Sequence, residues 1–210
     1  MTVTETAAEQ RGFVQPIVVC VDENTTHEDT VVAAMLASVG AWRADLASET
    51  PDPAWDAWFA GAFTKVVRRA KPAVFRKLTG GHLTMFGTAG ALAFTPMPAG
   101  TLPKELSRLQ VSGTELHRSC SPFNGSGVVT VIVNKSLGLT TGKTCAQAAH
   151  ALLGFALTHP DVDVTGVSFA EVPEDRFVKI AAIHSDATVI VDAGRTETEP
   201  GTATAIAFAD

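Results

Sequence analysis

The first apolar run, PIVVCVD (16–22), is β-rich, and the polar loop ENTTHED separates it from TVVAAMLASVGAW (30–42). That order predicts a strand followed by a buried helix. Residues 1–14 read as a disordered tail, and SETPDP (48–53) breaks the chain. Trp55, Trp58, Phe59 and Phe63 recur at i, i+3, i+4 and i+8. This spacing predicts an amphipathic helix running to about Ala70, where Pro72 stops it. VFRKL, HLTMF and ALAFT are short strand candidates, and Pro103 opens a short helix, PKELSRLQ. Residues 112–127, SGTELHRSCSPFNGSG, are polar and rich in Gly and Ser, and read as a linker.

Beyond it, VVTVIVN (128–134) is a continuous apolar run, as expected of a covered strand. KTCAQAAHALLGFALT (143–158) predicts an Ala/Leu helix with a threonine at its N-cap position, and VTGVSFAEV predicts a second strand. PEDRFVKIAAIH carries Pro at N1 and acids in its first turn, and ATVIVDAG and TATAIAFA close the chain as strands. The order β-α-β-α-β-β predicts an α/β fold, a small mixed sheet with helices packed on it. The chain divides into an N-terminal α/β half (15–111), the linker (112–127) and a C-terminal domain (128–210). Placing Thr25 on Thr140 lays PIVVCVDENTTHEDTVVAAML over VIVNKSLGLTTGKTCAQAAHA without a gap, with Glu28 at the place of Lys143 and Val32 at that of Gln147. Two readings stand: a duplication whose first copy has lost its chemistry, or the ordinary similarity of strand–threonine–helix units.

Composition narrows the function classes. With 210 residues, 46% hydrophobic and 18% charged, the chain can bury a core, which excludes a disordered chain. No apolar run approaches the roughly 20 residues of a spanning helix, so no membrane partner is expected. The start shows neither a basic nor an apolar leader, and Cys20, Cys120 and Cys145 suggest no disulfide framework, so a reduced, cytoplasmic protein is expected. The net charge of −6 hides a basic segment holding Lys65, Arg68, Arg69, Lys71, Arg76 and Lys77 without an acid. It reads either as a phosphate-backbone contact or as a solvated helix face. GLTTGKT has three residues between its glycines, one short of a phosphate-binding P-loop, so nucleotide hydrolysis is not expected.

Lys143 and Gln147 are i, i+4 and share a helix face, with Lys143 in the first turn, where a phosphate or developing oxyanion is favoured. Asp192 ends an apolar strand before a Gly turn, either to hold Lys143 or orient a water, or as an Asx turn. Thr196 follows in the turn. Thr204 alternates with Thr202, Ile206 and Phe208 on one strand face. His150, a turn beyond Gln147, borders this site or is a satisfied helix histidine; Cys145 points to another side. The six histidines lack metal-ligand spacing, so neither metal nor cofactor is expected.

Two spaced motifs, G-K-x-x-A-Q-x-x-H-A at 142–151 and D-A-G-x-T-x-x-x-P-G-x-x-T at 192–204, resemble those of the type-2 peptidyl-tRNA hydrolases. The resemblance covers roughly 128–210, and residues 60–127 resemble the extension of longer members. It implies metal-independent hydrolysis of the ester joining a peptide to tRNA, with catalytic positions at Lys143, Gln147, Asp192, Thr196 and Thr204. The partner is then peptidyl-tRNA, with Lys65, Arg68, Arg69, Lys71 and His150 as substrate contacts. Family members are typically homodimers, so either a homodimer or an intrachain pseudo-dimer is expected. Ser136 stands where the family usually has Asp, and Ala148 where it has Cys or Ser; the segment between the second and third strands is also shorter. The alternative is a non-catalytic tRNA- or protein-binding member of the same fold.

Overall fold

The computed structural model describes residues 12–119, 127–192 and 199–209. The first half runs β1 (Phe13–Cys20), α1 (His27–Leu46), α2 (Ala54–Ala60), β2 (Thr64–Ala70), α3 (Pro72–Phe75), β3 (His82–Phe86), β4 (Ala89–Ala93), β5 (Met97–Pro98) and α4 (Lys104–Ser107). The second runs β6 (Val129–Asn134), α5 (Thr141–Thr158), β7 (Ser168–Val172), α6 (Glu174–Ile183), β8 (Thr188–Val191) and β9 (Ala203–Ala209). The architecture is α/β with two mixed sheets. Among the described residues no helix is long and apolar enough to cross a membrane.

Both sheets have one topology. In the first, β1 lies parallel to β2 and antiparallel to β4, and β4 pairs antiparallel with β3. In the second, β6, β7, β9 and β8 repeat those relations in the same order. A single hydrophobic core joins them, because α1 and α5 pack on each other between the sheets. Small residues make that contact close: Ala33, Ala34 and Ala37 on α1, and Ala148, Ala149 and Ala151 on α5, are wholly buried. A helix apolar nearly all round is what a middle layer requires. The outer face of the first sheet is covered by Phe75 and Leu106, that of the second by Phe177.

Strand parity fixes how the halves correspond. Ile17 and Val19 face the helices, as do Val131 and Val133, whereas Ile132 faces outward towards Phe177. Thr26 caps α1, accepting from Asp29 N, and Thr140 caps α5, accepting from Lys143 N. Gly40 and Gly154 also coincide: a Cβ on Gly40 would meet the His82 ring on β3, and one on Gly154 the Thr188 methyl on β8. The correspondence is therefore Thr26 with Thr140, one residue from the alignment of Thr25 with Thr140. A one-residue slip would turn every strand side chain to the wrong face. Asp29, not Glu28, matches Lys143, and Ala33, not Val32, matches Gln147.

Other expectations need correction. The helix expected through Ala70 ends at Ala60, and residues 64–70 form β2, parallel to β1. Phe63 produces the apparent helical period from the following turn, at φ 51°, by placing its ring 4.4 Å from that of Trp58. VFRKL begins in a helical turn with Pro72 at its start, because β2 already occupies the place beside β1. Phe13 and Val14 belong to β1, paired with Pro98 and Met97, while residues 1–11 of the expected tail lie outside the described residues. Helix α5 starts at Thr141, and Pro173 is the N-cap of α6 rather than its first residue.

Of the expected linker, residues 112–119 form a strap across the N-termini of α1 and α5, and residues 120–126 lie outside the described residues. His117 O accepts from His27 N and Thr114 O from Gly142 N, so the strap takes up otherwise unbonded helix amides. Thr141 Oγ1 accepts from Leu116 N and lies 3.0 Å from His27 Nδ1. Glu171 on β7 completes the junction, 3.5 Å from His27 Nε2 and bonded to Arg118 Nε at 3.1 Å. Burial pushes the Glu171 carboxyl up, but His27 and Arg118 outweigh it and hold it below its usual value.

Two outcomes are expected. Thr141→Val, which keeps the shape and removes both polar contacts, should lower unfolding free energy by about 1–3 kcal/mol in urea melts. Because the Glu171 carboxyl is depressed in the folded state, its stabilisation is complete above the ordinary carboxylate pKa and is lost as pH falls through the folded value. Unfolding midpoints measured from pH 6 downward should therefore fall more steeply for the wild type than for Glu171→Gln.

Candidate functional site

A cleft of about 950 Å³ opens between the halves. Phe63, Thr64 and Lys65 of the first half face Lys143, Gln147 and Asp192 of the second across it. The polar wall is a chain of contacts. Lys143 Nζ lies 2.6 Å from Asp192 Oδ2, and Gln147 Nε2 donates to the same oxygen at 2.5 Å. Thr204 Oγ1 donates to Gln147 Oε1 at 2.8 Å. Thr204 is fully buried, Gln147 5% and Asp192 7% exposed, so this network lies largely out of water. The amide of Gln147 thus aims Asp192, and the carboxylate holds the ammonium at the cleft wall.

Each residue arrives there for a local reason. Lys143 and Gln147 are one turn apart on α5, behind the Thr140 cap. Asp192 follows β8 and is anchored by its own backbone, which donates to Thr202 O and accepts from Gly201 N. Thr204 needs a different account from the alternation expected of it. Strict alternation would set it with Ile206 and Phe208, which pack on the outer face. The pairing of β8 with β9 instead shifts between Ile190 and Val191, which oppose Ala205 and Ala203. This β-bulge turns Thr204 towards α5, as bulges re-aim a side chain at a strand end. Nothing in the local sequence marks it. Thr196 lies outside the described residues.

The basic segment is not a stripe. As a strand, β2 sends Lys65, Val67 and Arg69 to one face and Arg68 to the other. Lys65 is 6% exposed and lines the cleft. Arg68 and Arg69 donate to the carbonyls of Leu109 and Gly113, holding the segment that leads into the strap. Lys71 is exposed at the strand's end, away from the cleft lining. The segment is therefore not a helix face, and these four side chains do not share one surface. His150 does line the cleft, its ring 4.9 Å from Phe63. Burial, then Lys65 and Lys143, hold its imidazole well below the usual pKa, so it is neutral at pH 7. Cys145 is fully buried, and burial pushes its thiol up, which leaves no thiolate for chemistry.

The first half lacks this wall. Asp29, the counterpart of Lys143, accepts from Thr88 N and Oγ1 and fastens the β3–β4 turn. Glu28 accepts from Ser119 N and is buried, so it belongs to the strap rather than to an exposed face. Among the described residues no group of His, Cys, Asp and Glu is placed to hold a metal ion. Comparison with protein-family models, curated proteins and solved structures returned no match.

Removing the Lys143 ammonium alone leaves a carboxylate that is nearly buried. Lys143→Met should destabilise by about 3 kcal/mol, and adding Asp192→Asn should recover most of that loss. Chemical denaturation of the two single variants and the double variant gives the coupling directly.

Proposed function

We propose that the chain is a peptidyl-tRNA hydrolase whose site is the Lys143–Asp192–Gln147–Thr204 network at the cleft. The observation that carries this reading is the network itself: an ammonium held by a buried carboxylate, which an amide and a hydroxyl orient in turn. Such a group stabilises negative charge that develops on a carbonyl oxygen, and it does so most strongly where water is excluded. The chemistry that fits is direct attack by water on an ester, with no covalent intermediate. Lys143 faces the developing oxyanion, and Asp192 accepts a hydrogen bond from the attacking water or from the departing ribose hydroxyl. Gln147 and Thr204 act through Asp192 as positioning residues. The buried Cys145 thiol offers no competing nucleophile.

The resemblance of 142–151 and 192–204 to the type-2 enzymes supports the same reading, since its motif residues Lys143, Gln147, Asp192 and Thr204 meet in this network. The one-sided distribution of chemistry fits a single site per chain: Ala33 and Asp29 stand where Gln147 and Lys143 do in the second half. On this reading the first half is a degenerate copy that fills the place of a partner subunit.

Purified protein should hydrolyse N-acetylated aminoacyl-tRNA in the presence of a chelator. The double variant Lys143→Met/Asp192→Asn, which retains the fold, should lose on the order of 10²–10³ in rate. Asp29→Asn should retain wild-type turnover, because its carboxylate serves only the β3–β4 turn. A wild-type chain that binds tRNA without turnover is instead the non-catalytic member of this fold, and the hydrolase reading falls.

A further inference from the structure

Lys65 is a buried amine without a hydrogen-bond partner among the described residues. It stands on β2 with 6% exposure, and its Nζ has no hydrogen-bond acceptor among the described residues. Aromatic rings take the place of water: Nζ lies 4.2 Å over the Trp58 ring and 4.5 Å over that of Phe63. Faces of this kind stabilise an ammonium by about 1–2 kcal/mol, less than the cost of desolvating it. The neighbouring polar side chain on β1 is already committed. Gln15 sits opposite Lys65 in the β1–β2 pairing, and its amide oxygen accepts from Ser38 Oγ at 2.7 Å.

The place of this lysine gives it meaning. Its counterpart in the second half is Val167, an apolar core residue just before β7, so nothing in the shared topology requires an amine there. Lys65 lines the cleft opposite Lys143, Gln147 and Asp192. The described charged groups of that lining are two lysines and one carboxylate, and the carboxylate lies 2.6 Å from Lys143. Phe63 holds a left-handed backbone, uncommon for an aromatic residue, and thereby presents its ring to both Lys65 and His150.

We propose that Lys65 is the receptor for the anionic group, a phosphate ester or a carboxylate, of the molecule that occupies this cleft. The anion supplies the missing partner, and Trp58 and Phe63 hold the amine in position before it arrives. The inference goes beyond the hydrolase reading, since it requires only that the cleft accept an anion. Burial holds the empty-cleft amine well below the usual lysine pKa, and an anion beside it would raise it again. The titratable and charged groups that share the lining are His150 and Lys143 from α5 and Asp192 after β8; α2 and the following turn contribute only rings, and β1 the neutral Gln15.

Calorimetric titration at pH 8, in buffers of different ionisation enthalpy, tests this with three probes: AMP, adenosine and N-acetylglycine. AMP or N-acetylglycine, according to the source of the anion, should bind at least tenfold more tightly than adenosine, with net proton uptake. Lys65→Met should abolish the uptake and weaken that binding at least tenfold. The same substitution should raise the melting temperature of the empty protein, because it removes an unpaired buried amine; an amine that merely supports the fold would give a fall. Equal binding of AMP and adenosine with no binding of N-acetylglycine, unchanged affinity in Lys65→Met, or no binding of any probe at millimolar concentration would each overturn the proposal. Anion binding by a chain that fails to turn over aminoacyl-tRNA would leave it standing while the hydrolase reading fell.

Discussion

The contact between α1 and α5 governs the rest of the molecule. Each half has one sheet whose inner face needs covering, and one long helix that covers it only in part. Alanines on both helices let the two approach closely, so each helix buries its remaining surface on the other rather than in water. That approach brings β2 of the first half beside α5 of the second, and β7 of the second beside α1 of the first. The strap at 112–119 fastens the arrangement at the helix N-termini, where amides lacking helical partners would otherwise be buried unbonded. The cleft is a by-product of this geometry, with one wall from each half.

A repeated topology gives two equivalent places for a cleft, and the side chains decide which is used. Around α5, Lys143, Gln147 and Asp192 line one such place with polar groups, and Thr204 is buried behind them against Gln147. Around α1, Asp29 and Thr88 meet each other and close a turn, while Ala33 stands where an amide would be needed. The polarity has reversed: the helix carries the acid in one half and the base in the other. Lys65 continues the asymmetry, since it lies in the first half and faces the polar wall of the second.

Much of this was legible in the sequence. The β-α-β-α-β-β order of the second half follows from runs such as VVTVIVN and from the punctuation of Pro173 and Gly201, and the structure has that order. The closeness of Lys143 and Gln147 follows from helical spacing alone. The failures have physical causes. An aromatic period of i, i+3, i+4, i+8 does not distinguish one long helix from a two-turn helix whose final ring returns from a turn, and the β-branched Thr64, Val66 and Val67 were the overlooked strand signal. The paired threonines offered two registers. Gly40 and Gly154 decide between them, because both mark where an edge strand crosses its helix at close range.

The bulge at Thr204 was beyond the reach of pattern, and it is where the candidate site departs from the sheet that carries it. In the first half β3 and β4 stay in regular register from His82 to Phe86. In the second, one extra residue on β9 displaces Thr204 from the outer face, at the expense of regular pairing with β8. The displaced hydroxyl then fixes which end of the Gln147 amide meets Asp192. A carboxylate facing the amide oxygen would be repelled; facing the nitrogen, it is held beside Lys143. The orientation of a buried ion pair thus depends on an irregularity in strand pairing, two contacts removed from the charge it controls.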